Sequence, residues 1–539
     1  MRELLVATTA LAVLSAGPAL AANSARNLGK VNLGKVHFET SCKPAAQKLF
    51  DQGMLYQHSF WYRSSKQTFE DVLKADPNCA MAYWGIALSL LYNPHAPPPQ
   101  ANLPLGLEAI QKAKALNAKT LNAKTQRERD YIDALAAMYA DYDKVDHRTR
   151  MQNYLKAQEQ VALRYPKDDE AQIGYAITLN VAASPTDKTY ANQLKGAALL
   201  EPIFKRLPQH PGVAHYLIHL YDYPAIAEKG LTAARRYAKI APAAPHAQHM
   251  PSHIFTRVGY WKESIAANAE SARVAKLDGE QHDQAHGMDY LVYAYLQLAQ
   301  DKKAKAVIDE LNAIDFKTDR FAGPFGVAAS NARYVVERGD WKAAAGLQPR
   351  QTKYAYADAV TYFARALGKA RSGDPAGAKP DADKLGELSA KLKDAKDSYW
   401  SEIVGIQQQV ANAWVLFAEG KQDEALKAMS AAADAEDKTE KHPVTPGPLA
   451  PARELYGAML LERGMAREAL AAYEAVLAKE HNRLAAYVGA AKSASKAGSA
   501  DKAKQYTAKV ISLTKDADSQ RPEVMALRTT KTASTAPAR

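Results

Sequence analysis

The sequence is short of the features that mark sheet proteins, membrane proteins and many hydrolases. Runs of β-branched residues are few in a chain of 539 residues, and alanine is abundant, which favours helix over strand. Beyond the N-terminus no stretch is apolar enough to cross a bilayer, so no integral membrane segment is expected. There is no His-Glu-x-x-His zinc-protease motif, no Gly-x-Ser-x-Gly elbow and no phosphate-cradling glycine loop, so no catalytic nucleophile is indicated. The formal charge of +12 is spread along helical stretches with acidic residues between the basic ones. Its densest basic segment, 112–129, lacks the interleaved aromatics of a base-stacking surface. No nucleic-acid partner is expected, and the charge fits loose attraction to acidic partners or membrane surfaces.

The N-terminus reads as an export signal. Arg2 gives a basic start, Leu4 to Leu14 an apolar run, and Ala19-Leu20-Ala21 small residues before a cut at Ala22. Gly17 and Pro18 break the run too early for a membrane span. No cysteine follows the cut, so a lipid-anchored start is not expected. Residues 1–21 are therefore expected to be a signal peptide, and the protein to be exported to a Gram-negative periplasm or secreted. Residues 22–43 read as flexible, 44–525 as one helical array, and 526–539 as a disordered tail.

The only cysteines are Cys42 and Cys79. One precedes the first helix of a hairpin and the other follows the second, so the two ends lie side by side. In an oxidising compartment a disulfide is expected, worth about 3–4 kcal/mol in the chain-entropy model. The alternative is a pair of buried thiols.

The array is read from repeated landmarks. In the first hairpin Leu49, Gly53 and Tyr56 lie on one helix and Phe69 and Val72 on the next, which stops at Asp76-Pro77. A late unit, 450–481, carries Gly457, Leu460, a turn at Gly464, Ala469 and Tyr473. This pattern resembles the tetratricopeptide-repeat family. The resemblance implies an all-α solenoid of helical hairpins, whose apolar faces are buried by stacking. The segments Gln57-His58-Ser59-Phe60-Trp61-Tyr62, Cys79 to Gly85 and His249 to Phe255 also resemble a group of exported bacterial repeat proteins. That likeness covers residues 40 to 300 and implies a fold more than a biochemical role.

Six of the 14 histidines recur in step with the repeat. His215 and His219, His249 and His253, and His282 and His286 form three His-x-x-x-His pairs about one unit apart. Residues four apart share one helix face. The family resemblance implies that this face, the fifth and ninth places of each unit, lines the concave groove. Such a run of imidazoles suits zinc, copper or iron. Two arrangements fit: four histidines at one ion with the rest outside it, or two nearby sites. His246 is a seventh candidate. Asp222 and Asp289 are placed to complete a site or to orient an imidazole through its other nitrogen. Pro251 suits a first helical position, which leaves His249 at the edge of the middle helix. His58 and His95 read as structural, and the proline-rich loop 442–451 either covers the groove or connects two units.

Three readings stay open. One is a scaffold whose groove binds a transition metal or small ligand. Another is a scaffold for a protein or peptide partner, with the histidines forming a structural ladder. The third is a metal-dependent enzyme using an open coordination position.

Overall fold

The computed structural model describes residues 32–118, 123–318 and 320–534. The expected signal segment 1–21, residues 22–31 and residues 535–539 lie outside the described residues.

All regular structure among the described residues is helical. Successive helices pack as antiparallel hairpins, from Pro44–His58 with Tyr62–Ala75 to Leu484–Lys496 with Ala500–Leu513. Glycine sets their spacing. The Phe69 ring lies 2.7 Å from where a Cβ would stand on Gly53, in its own hairpin, and on Gly85, at the start of the next. Tyr473 fills the same role between Gly457 and Gly489. One aromatic ring thus keys two successive first helices, and a methyl group at either glycine would collide with it. This is the tetratricopeptide-like arrangement, and the fold is an all-α solenoid of helical hairpins.

Two segments read as loose are ordered in part. Leu33 and Phe38 are buried. Phe38 packs against Phe50, Trp84 and Tyr131 with ring centroids 5.0–5.4 Å apart, and the Lys35 amide donates to the Gln209 carbonyl at 2.9 Å. Residues 33–43 are therefore a packed strap: two apolar side chains find gaps between hairpins distant in sequence. Cys42, at its end, is bonded to Cys79. At the other terminus the helix Pro522–Ser534 runs into the segment read as a tail. It is anchored by buried Val524 and by Arg521, which donates to Asp301 at 2.6 Å and to the Leu296 carbonyl at 2.9 Å.

The array is not purely nearest-neighbour, as a simple solenoid would be. Arg483, almost fully buried, pairs with Glu337 at 2.7 Å and Glu454 at 2.6 Å. The Trp261 indole donates to the Asn482 carbonyl at 2.9 Å, and Lys188 pairs with Glu440 at 2.6 Å. The C-terminal units thus close back onto the middle of the chain. At the centre lies the helix Pro211–Tyr221, in which every residue is buried.

Candidate functional site

Three stretches of helix carry the histidines. Pro211–Tyr221 starts with proline at its first position, and the His210 side chain caps it by accepting the Val213 amide. Pro245–His249 and Pro251–Arg257 follow one another across Met250, which keeps a helical backbone. Pro251 therefore interrupts the hydrogen-bond ladder without turning His249 away. Gln281–Gln297 is the third.

The structure sorts the imidazoles into two groups of three. His215, His219 and His246 form one; His249, His253 and His286 form the other. Within each, one ligating atom per residue lies within 4.8 Å of the others. Each group joins an i, i+4 pair on one helix to a single histidine on the next first helix. His215 Nε2 lies 3.1 Å from both His219 Nε2 and His246 Nε2, and His249 Nε2 lies 3.0 Å from His253 Nε2.

His282 does not join them. Its Nε2 donates to the Thr318 carbonyl at 3.0 Å, and its Nδ1 accepts the Gly323 amide at 3.3 Å. The reason is positional: the first helix of the next hairpin, Ala322–Val336, carries no histidine to complete a third group. His286 instead closes the second, and the third pair is split. Asp289 also stands apart, facing Ser330 and Arg333. Burial pushes its carboxyl up to about 6 against the pull of Arg333. Asp222 is part of the site: its Oδ2 accepts from His253 Nδ1 at 2.8 Å and from Lys441 Nζ at 3.0 Å, and its Oδ1 accepts from Arg257 at 2.8 Å. Burial alone would raise Asp222, but Lys441, Arg257 and His253 outweigh it and hold the carboxylate well below its usual range.

These outer contacts dictate the tautomers. His253 Nδ1 faces a carboxylate. His215 Nδ1 faces the His58 carbonyl at 2.7 Å. His249 Nδ1 faces Asn268 Oδ1 at 2.7 Å, and the Asn268 amide nitrogen donates to the Ser264 carbonyl, which fixes its orientation. All three Nδ1 atoms must therefore carry the hydrogen, so all three Nε2 atoms present lone pairs when the rings are neutral. At the His249–His253 contact two lone pairs meet at 3.0 Å. At His215 a single lone pair stands between two nitrogens and can accept only one hydrogen.

A shared proton would relieve these contacts only if the imidazoles were basic. Burial, reinforced by the neighbouring histidines, holds His219, His246 and His249 well below the ordinary imidazole value. Burial first, and surrounding positive charge second, brings His286 down to about 3, and burial does the same for His215. Burial lowers His253 as well, against the opposing pull of Asp222, so it favours the neutral form of these rings. In a tetrahedral site with metal–nitrogen bonds of 2.0–2.1 Å, donor nitrogens stand about 3.3 Å apart, close to the spacing present.

Other parts of the chain enclose the rings. Phe60 packs on His215 at 4.3 Å and on His246 at 5.1 Å between ring centroids, from a left-handed backbone with φ of 55° that a bulky residue rarely adopts. Tyr290 packs on His249 at 4.7 Å, and its hydroxyl donates to the Pro443 carbonyl at 2.9 Å. The loop from Glu440 to Pro451 thus packs against the histidine-bearing helices, tied further by Arg333 to the Gly447 and Pro448 carbonyls. A cleft of 280 Å³, lined by His95, His219, Asp222, Lys441 and His442 among others, reaches the first group. The His95 ring lies 4.3 Å from that of His219, and its Nε2 has no hydrogen-bond partner.

A third group, His58, Glu170 and His210, has comparable geometry but is closed by hydrogen bonds. His58 Nε2 and His210 Nε2 donate to the two Glu170 oxygens at 3.1 and 2.9 Å. His58 Nδ1 accepts from the Tyr216 hydroxyl at 3.1 Å, and His210 Nδ1 accepts the Val213 amide.

Sequence reading did not single out Phe60, Asn268, Lys441 or Glu170. Phe60 lay inside a quoted motif, but its left-handed turn carries no residue signal. Asn268 comes from the return helix that follows His253, and Glu170 and Lys441 reach the histidines from elements distant in sequence.

No protein-family model matches this chain, and no curated protein matches it. Solved structures similar to it include an IFIT1 monomeric mutant with Gppp-AAAA, at 11% identity and a TM-score of 0.33, covering 88% of this chain and 98% of that one. Another is the Cut9–Hcn1 hetero-tetramer of APC/C, at 10% identity and a TM-score of 0.30, covering 90% and 95%. A third is the human IFIT1 dimer with m7Gppp-AAAA, at 10% and 0.32, covering 85% and 94%.

Proposed function

We propose that this is an exported helical-repeat protein whose closed concave face binds transition-metal ions through His215, His219 and His246 and through His249, His253 and His286. The observation that carries this reading is the His249–His253 contact. Both Nδ1 hydrogens are committed outward, both Nε2 lone pairs face inward at 3.0 Å, and burial keeps a proton off the rings. A metal cation resolves that contact, because each lone pair becomes a ligand. Asp222 and Asn268 then act as the outer partners that orient metal-bound imidazoles and raise their basicity. Imidazole nitrogen accepts zinc, copper and iron. The first 21 residues support export.

The test is metal analysis of untagged protein isolated from its native compartment, followed by titration of the metal-free form with zinc and copper. The expected result is at least one tightly held equivalent, and a thermal midpoint that rises on metal addition. Less than about a tenth of an equivalent, with no uptake on titration, would overturn the reading.

A further inference from the structure

The two histidine groups lie against one another as well as within themselves. Ring centroids across the divide are 5.9 Å apart for His219 and His253, and 6.2 Å apart for His246 and His249. Ions bound to the Nε2 atoms of these rings would be neighbours. Resting on the metal-binding reading above, we propose that the two groups form a dinuclear copper centre that binds dioxygen as a bridge between its ions.

Four features point this way. Three imidazoles leave a four-coordinate ion with one open position, and here two such positions belong to adjacent ions, the arrangement through which two-metal sites share a ligand. Next, neither group contains a carboxylate. The nearest, Asp222, already accepts from His253, Lys441 and Arg257, and both Glu170 oxygens are taken by His58 and His210. Iron and manganese pairs in helical proteins rely on carboxylate ligands, whereas six imidazole nitrogens with no oxygen donor among them suit copper, which tops the affinity order for such donors.

The two groups are also covered by Phe60, packed on His215 and His246, and by Tyr290, packed on His249. This apolar cover limits bulk water, which would otherwise hydrolyse or leak a reduced-oxygen intermediate. Finally, the 280 Å³ cleft gives a small ligand a route past His95 and Lys441 to His219. With the Asp222 and Glu170 carboxylates already paired, the bridge comes through that cleft. The redox step balances without another reactant. Each copper(I) gives one electron, dioxygen accepts two, and the product is peroxide held between two copper(II) ions, with no proton gained or lost.

The experiment uses the full, untagged protein, stripped of metal, loaded anaerobically with copper(I) and then exposed to dioxygen. The expected result is two coppers per chain, uptake of one dioxygen per two coppers, and little or no electron paramagnetic resonance signal from the oxidised pair, because a bridge couples the two spins. H286N, which removes one ligand from the second group only, is expected to restore the signal of an isolated copper(II) and to lower dioxygen uptake at least tenfold. Two bound coppers giving two full spins after oxidation would overturn the bridge while leaving metal binding intact. One copper per chain, coupled or not, would overturn the dinuclear centre. No copper uptake would overturn the copper centre, and the metal-binding reading falls with it only if zinc is refused as well.

Discussion

Two clusters of buried histidines stand close together in this molecule, and they differ in where their hydrogens point. In the His58–Glu170–His210 group every ring nitrogen has a complementary partner: two N–H groups meet a carboxylate, and two lone pairs meet a hydroxyl and a capped amide. In the His249–His253 contact the carboxylate and amide partners sit on the outside, and lone pairs converge within. Proximity of ligating atoms is the same in both, so proximity alone does not identify a metal site. The direction in which neighbours orient the hydrogens does. Gly212 shows how closely the first group is fitted, since a Cβ there would run into His58 Nδ1.

The strongest way to break this comparison is to alter one cluster at a time. H249N/H253N keeps a donor where each Nδ1 stands and removes both Nε2 atoms. Metal content is expected to fall by at least half, with the helical signal retained. E170Q should do the reverse. Its amide nitrogen faces an N–H it cannot accept, so stability in denaturant titration should drop by about 1–3 kcal/mol, with metal content unchanged. Loss of metal in E170Q, or its full retention in H249N/H253N, would erase the distinction between the two clusters.

A smaller effect is expected from D222N, which leaves all six imidazoles in place but weakens the partner of His253 Nδ1. Metal affinity measured by competition with a chelator should fall about 10–100-fold. An affinity unchanged within twofold would mean that Asp222 serves only the ion pairs with Lys441 and Arg257.

The hairpin array was legible in the sequence because its signals are local: Gly53 and Phe69, Gly457 and Tyr473, and the closing Pro77 recur at fixed spacing. The inward face was legible for the same reason, since the i, i+4 spacing of His215 with His219 and of His249 with His253 needs only helical geometry. The grouping was not. Whether His286 pairs with His282 or with the preceding helix depends on what the first helix of the next hairpin carries, and Ala322–Val336 carries no imidazole. His246 entered the first group because Pro245 starts its helix early enough to bring it beside His215. The enclosure was also hidden. Phe60, Lys441 and the 440–451 loop arrive from far along the chain, after the C-terminal units close back onto the middle, and nothing in a repeat pattern encodes that closure. The order of the strap at 33–43 is not legible because a polar stretch with only a few scattered apolar residues has no periodicity.

The central claim is that inward-facing imidazole nitrogens, and no other donors, hold the ion. X-ray absorption at the metal edge of the loaded protein tests it most directly. The account predicts a first shell containing three nitrogens per ion at about 2.0–2.1 Å, with the outer-shell scattering of rigid imidazole rings, lost on H249N/H253N substitution from at least half of the metal. A first shell dominated by carboxylate oxygen, with no imidazole scattering, would contradict it.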